Sequence, residues 1–356
     1  NVTDFNLTNK TGTVGLYLNG EWYNTTFENG SFIINELTVP VGTYDVLFGF
    51  IDDGGNNLGF NITNFTIANA TGSFNIHIKD ITYGDDFTIE ITDAVGVNGE
   101  KLNGTVIVMI NGTPYEVPIS SGSGSKTFTD RLSVGEYLVN ATLTVPNYGP
   151  INNNTKFSVS NATGSFNVSV ENITYGNNFT IIVSNATGVN GEKLNGTAVA
   201  TVNGTDYTIN VVNGYGTYTV SKILSAGDYT VNATLTVPNY NIMHSNCTFT
   251  VTGEYVFINV TVENITYGNT ISGSFNFTGH VGDCALIING TVYNTTFGPD
   301  GKFTINEILP VGNYEAIFGF ITYDGNYKGA NITNFTISNA TGSFNINVSD
   351  ITYGDN

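Results

Sequence analysis

The sequence predicts an all-β protein: a rod of tandem sandwiches of about seven strands each, with an orphan strand at its C-terminal end. Three observations lead there. A block of about 90 residues repeats, the composition favours strands joined by tight turns, and short alternating apolar runs are punctuated by Gly and Asn.

The composition sets the class. Asn supplies 51 and Gly 42 of the 356 residues, while Pro supplies only 8. Thr, Val, Ile, Tyr and Phe are plentiful, which suits pleated strands and Asn/Gly turns. No apolar pattern of 3.6-residue period runs for a useful length. The net charge is −19, from 29 acidic against 10 basic residues, yet charged residues are only 11% of the chain. The acidity therefore reflects missing Lys and Arg. It excludes the basic footprint that nucleic acid or an anionic membrane requires, and it leaves a solvated, self-repelling surface. This segment contains no 18-residue apolar run and no signal peptide. Together with the abrupt start, that reads as a mature or excised piece of a secreted protein.

Repeats set the organisation. "ITYG" recurs at Ile81, Ile173, Ile265 and Ile351, at spacings of 92, 92 and 86. "NATGSFN" recurs at Asn69, Asn161 and Asn339, "NITNFTI" at Asn61 and Asn331, and "YNTTF" at Tyr23 and Tyr293. Two unit types emerge in the order A, B, B, A. They cover 1–71 (type A, lacking its first strand), 72–163 and 164–253 (type B), and 254–341 (type A). Residues 342–356 follow as a donor or linking strand.

The second B unit shows the strand cadence. Its seven candidates are "FNVSV", "NFTIIVS", "TAVATVNG", "TDYTINVV", "YGTYTVSK", "DYTVNATLTV" and "CTFTVTG", with turn signals at Asn203-Gly204 and Asn213-Gly214. Size, strand number and spacing predict an immunoglobulin-like β-sandwich. "VGTYDV", "VGEYLV", "AGDYTV" and "VGNYEA" place Tyr44, Tyr137, Tyr229 and Tyr314 just after a Gly turn near the penultimate strand. That is where a tyrosine corner sits. The alternative is an ordinary half-buried strand tyrosine. Only about four residues separate the last strand of one unit from the first of the next, as in "KFSVSNATGSFNVSV". Links this short restrict bending.

The segments "NGEKLNGT", "VNGTDYTINVVNGYGTYTV" and "AGDYTVNATL" resemble the tandem Ig-like repeats of adhesin-like surface proteins of methanogenic archaea, and more loosely bacterial Ig-like repeats. The resemblance covers nearly the whole chain. It implies an extracellular, modular surface protein and no particular ligand.

Asn-x-Ser/Thr sequons abound, among them Asn61, Asn64, Asn69, Asn172, Asn178, Asn264, Asn334 and Asn347. A chain this rich in Asn and Thr generates many by chance. In "SFNINVS", however, Asn347 falls on the face opposite Phe344, Ile346 and Val348, where a sugar would not touch a core.

Catalytic motifs are lacking. His77, His244 and His280 do not recur between units, and neither a nucleophile elbow, a phosphate loop nor a zinc spacing is present. No cofactor is expected. Asp52-Asp53 and Asp85-Asp86 lie beside turns, so calcium at the junctions is the one metal alternative. Cys247 and Cys284 align with Thr155 and Val14 in their sister units. They read as incidental thiols, with an inter-unit disulfide as the alternative. Lys101 and Lys193 recur in an apparent solvent loop, poorly placed for a Lys–Asn isopeptide cross-link. Trp22 aligns with Val292, which reads as a strand-surface position rather than a sugar platform.

The two A units give the tail its meaning. Asn61, Asn24 and Phe5 match Asn331, Asn294 and Phe275 at an offset of 270, so residue 1 corresponds to Ile271. The strand preceding Ile271 in the second A unit has no counterpart in the first. The tail matches it: Phe344, Ile346, Val348 and Ile351 align with Ile258, Val260, Val262 and Ile265. Burying three such side chains is worth about 5–9 kcal/mol, against a domain stability of about 5–15 kcal/mol. Three arrangements follow. The tail completes the first unit of another copy, head to tail; a longer chain repeats the whole block; or the tail opens a further B unit, since "DITYGDN" matches "DITYGDD" closely. The expected partner is the chain itself, with a host or neighbouring cell surface behind it, and no nucleic acid. The alternative function is an adhesin that binds a protein or glycan directly through its Ig-like faces.

Overall fold

The computed structural model describes residues 9–35, 37 and 39–354. Phe5, and the match between residue 356 and the start of the chain, lie outside them. No described residue is helical. The chain divides into two compact units, Asn1–Asn161 and Ala162–Asn356, each described by itself.

In Asn1–Asn161, residues 11–67 form one five-stranded sheet. Its order is Ser31–Phe32, Glu21–Glu28, Thr11–Leu18, Gly42–Asp52, Leu58–Ile67, so Leu58–Ile67 is an edge. Its buried core among the described residues is Val14, Leu16, Leu18, Phe27 and Val46. Residues 73–160 form two sheets. One runs Thr113–Ile119, Gly104–Ile110, Gly135–Leu143, Ile151–Ser160, Ile81–Thr82; the other runs Gly124–Phe128, Phe87–Val95, Ser73–Ile78. Side-chain alternation builds the core between them. Phe74, Ile76 and Ile78 point in while Asn75 and His77 point out, and they meet Phe87, Ile89, Val108, Val139 and Leu143. At Asn111-Gly112 both residues have positive φ (48° and 82°), the two-residue turn whose twist suits a hairpin.

In Ala162–Asn356, the first sandwich repeats this plan. Ser165–Val170, Phe179–Thr187 and Gly216–Val220 face Ile173–Thr174, Met243–Thr252, Gly227–Thr236, Gly196–Val202 and Thr205–Val211. All seven strands read from the sequence are present. Residues 254–338 close differently. Their nine strands curl into one continuous sheet, from Glu254–Tyr255 and Tyr327–Ser338 at one end to Ile271–Phe275 and Val260–Val262 at the other. An aromatic cluster fills it: Phe318 lies 4.9 Å from Phe275 and 4.8 Å from Phe303 between ring centroids.

Residues 342–350 form no strand. Phe344, Ile346, Val348 and Ile351, the expected core face of a joined strand, are 70–83% exposed in the single chain. In a single chain their alternation has no sheet to serve.

Candidate functional site

The site is the outer edge of the last long strand in each repeat. In three repeats a parallel segment covers that edge. Ile81 pairs with Val159, Ile173 with Val251, and Ile265 with Ile337. Each of these isoleucines opens an "ITYG" motif. The matching residue of the first repeat is Ile67, in the edge strand Leu58–Ile67, and no described residue pairs with that edge.

Side chains fix the register of the covering segment. Asp80, Asn172 and Asn264 each accept one backbone N–H at Oδ1, from Ser158, Thr250 and Thr336, all at 2.7 Å. Ahead of them, Asn153 Nδ2 donates to the Phe74 carbonyl (2.6 Å) and Asn331 Nδ2 donates to the Ile258 carbonyl (2.7 Å). In the remaining repeat the Ser245 hydroxyl accepts the Val168 N–H (3.2 Å) at the same place. At the far end Tyr83, Tyr175 and Tyr267 donate backbone N–H to Ser160, Thr252 and Ser338.

Asp80 differs from its asparagine counterparts because it titrates. The bonds from Ser158 hold its carboxyl below the usual carboxylate range. A group lowered by folding contributes stability above its ordinary pKa, near 3.9, and loses it as pH falls through the lowered value. Acidification below about pH 4 is therefore expected to deprotect the Ser158 amide in hydrogen exchange. The Thr250 and Thr336 amides, held by Asn172 and Asn264, are expected to stay protected.

In the first repeat no described strand covers the equivalent edge. A groove of about 290 Å³ is lined by Val14, Phe27, Phe32, Phe48, Phe50 and Asn61. Their counterparts in the last repeat, Cys284, Phe297, Phe303, Phe318 and Phe320, are buried beneath the covering strands. Phe32 is 39% exposed where Phe303 is 2%. Asn61 holds the place of Asn331, which grips the covering strand. In the repeat alignment Phe344, Asp350 and Tyr353 hold the positions of Ile258, Asn264 and Tyr267, and Asn61, Thr66 and Ala68 hold those of Asn331, Thr336 and Ser338.

The four tyrosines act alike. Tyr44, Tyr137, Tyr229 and Tyr314 donate their phenol hydrogens to the carbonyls of Pro40, Ser133, Ser225 and Pro310, four residues upstream, at 2.6–2.9 Å. The sequon asparagines Asn61, Asn64, Asn69, Asn172, Asn178, Asn264, Asn334 and Asn347 are all exposed. The structural bonds of Asn172 and Asn264 use Oδ1, leaving the amide nitrogen outside them.

No group of three His, Cys, Asp or Glu side chains converges among the described residues, and no described helix is long and apolar enough to cross a membrane. Cys247 and Cys284 are free thiols; burial pushes Cys247 up and Cys284 up to about 12. Lys101 and Lys193 are exposed. Trp22 is exposed and lies 5.2 Å from Tyr17 between ring centroids.

No family model and no curated protein matches the chain. Solved structures do. The tetra-tandem repeat in the extending region of a large adhesion protein matches with a TM-score of 0.50 and 16% identity over 93% of each chain. A Ca²⁺-stabilised adhesin that helps an Antarctic bacterium reach out and bind ice matches with a TM-score of 0.36 and 18% identity, over 95% of this chain and 92% of that one. Titin domains A168–A170 match with a TM-score of 0.32 and 11% identity, over 77% of this chain and all of theirs. At these identities the likeness concerns the fold: the chain is a tandem array of immunoglobulin-like β-sandwiches.

Proposed function

We propose that the chain is a non-enzymatic, extracellular structural repeat protein that builds a stalk or filament on a cell surface. The domains follow the repeats, 1–71, 72–163, 164–253 and 254–341, and residues 342–356 join successive copies head to tail. One observation carries the reading. Three repeats have their outer edge covered by an "ITYG" segment, no described residue covers that edge in the first, and the fourth "ITYG" segment displays its apolar face to solvent. A strand added to an exposed edge gains main-chain hydrogen bonds and buries alternate side chains. A head-to-tail contact of this kind does not close, so it extends. The adhesin-like resemblance of the repeat motifs, and the extending region to which the fold is similar, support an extracellular spacer.

The added strand comes from a second chain or from the next block of a longer polypeptide. A denaturing gel of native material distinguishes them: a band near 38 kDa means separate subunits, and a band several-fold larger means a continuous chain. Native filaments whose first repeat keeps an uncovered edge, seen as rapid hydrogen exchange across residues 58–67, would sink both. We further propose that the exposed sequons carry sugar, with Asn61 the exception. Its amide lines the groove, where a sugar and an incoming strand compete.

A further inference from the structure

Two links between successive sandwiches use one asparagine in two ways. Within Asn1–Asn161, Asn147 accepts the Val41 N–H at Oδ1 (3.0 Å) and the Ala70 N–H at its backbone carbonyl (2.9 Å). Within Ala162–Asn356, Asn326 accepts the Ala226 N–H at Oδ1 (2.7 Å) and the Glu254 N–H at its backbone carbonyl (2.8 Å). The side chain thus holds the preceding sandwich while the backbone holds the linker that enters its own.

The peptide groups gripped are equivalent. Val41 N–H belongs to the peptide whose carbonyl, on Pro40, is held by Tyr44; Ala226 N–H belongs to the peptide whose carbonyl, on Ser225, is held by Tyr229. One peptide plane is fixed from inside its sandwich by a phenol and from outside by the next sandwich's asparagine. Asn326 is 5% exposed, and both ends of its side chain are bonded: Nδ2 donates to Asp324 in its own loop (2.9 Å) while Oδ1 accepts the Ala226 N–H.

The last repeat ends on half of the same device. Tyr314 holds the Pro310 carbonyl at 2.7 Å, and the Val311 N–H of that peptide has no partner among the described residues. The first repeat begins with the other half. Asn56 stands where Asn326 stands, 270 residues on. Gly55 and Gly325 before them share a positive φ (66° and 68°), and an aspartate holds the backbone N–H of each asparagine: Asp52 for Asn56 at 2.8 Å, Asp324 for Asn326 at 3.1 Å.

We infer that Asn56 of one copy clamps the Pro310–Val311 peptide of the copy before it, accepting the Val311 N–H at Oδ1 and the Ala340 N–H at its carbonyl. This rests on the strand-docking reading, because residues 342–353 seated on the edge strand 58–67 bring Val311 to the loop 52–57. The partner is a second copy of this chain, and the joint between copies repeats the geometry of the joints inside one.

The test uses the full chain in four forms: wild type, Asn56→Ala, Asn56→Asp and Phe344→Asp. Dissociation after dilution is followed by mass photometry, and the bend at the joint by electron microscopy. Asn56→Ala is expected to polymerise but to dissociate about three- to tenfold faster, the loss of one neutral hydrogen bond, with a wider spread of bend angles. Asn56→Asp keeps the acceptor oxygen and should track wild type. An Asn56→Ala chain with the wild-type rate and bend distribution overturns the clamp while leaving strand docking in place. Equal size distributions for wild type and Phe344→Asp overturn strand docking, and the clamp with it.

Discussion

Phe344→Asp is expected to leave the chain folded but unable to join a second copy, so that it sediments as a monomer at concentrations where wild type forms polymers. In the single chain Phe344 is exposed, so the substitution removes no intramolecular packing. In the proposed docked strand it would take the place of Ile258, which is 4% exposed, above the groove lined by Phe32, Phe48 and Phe50. A carboxylate there is buried without a partner, a penalty of several kcal/mol that the strand's burial does not offset. Asn345→Asp, on the opposite face of the same strand, serves as the control and should polymerise like wild type. Sedimentation velocity decides: polymers of Phe344→Asp as large as those of wild type would rule out this face as the docking face.

The second large effect separates covered from uncovered sandwiches. Phe318→Ala empties a site that is 0% exposed, between Phe275 and Phe303. It should cost about 3–5 kcal/mol, read as lost protection of the Ala316 and Phe320 amides in hydrogen exchange of the full chain. Phe48, its counterpart, is half-buried and packs 5.6 Å from Phe32. Phe48→Ala should cost about 1–2 kcal/mol in the monomer, because partly exposed side chains leave smaller cavities. The difference should narrow when a peptide of residues 340–354 is added, because the proposed docking would bury Phe48. A larger loss at Phe48 than at Phe318 in the monomer would contradict the open groove.

Much of this was legible in the sequence because it is local or repeated. Alternation in "SFNIHI" places Phe74, Ile76 and Ile78 on one face, and Asn-Gly pairs mark the hairpins at Asn111 and Asn203, where φ is positive. The tyrosines stand out because one short context recurs four times. The clamp did not stand out. Asn147 sits in "VPNY" and Asn326 in "DGNY", two loops of different sequence, in a chain with 51 asparagines. Composition hides the few that are structural among the many that are turns or sequons. Asn172 and Asn264 illustrate the same limit: the motif reads as a sugar acceptor, and the fold adds a strand-fixing hydrogen bond.

By itself, then, the sequence determined the strands, the turns, the sandwich class and the register linking the tail to the strand at Ile258. Each follows from a period of two or from comparison of one repeat with another. Only the tertiary structure decided which asparagines hold neighbouring repeats together. Those bonds join residues 106 and 100 positions apart. A contact across that distance leaves no local pattern, because its geometry exists only once two sheets and the loop between them have been placed.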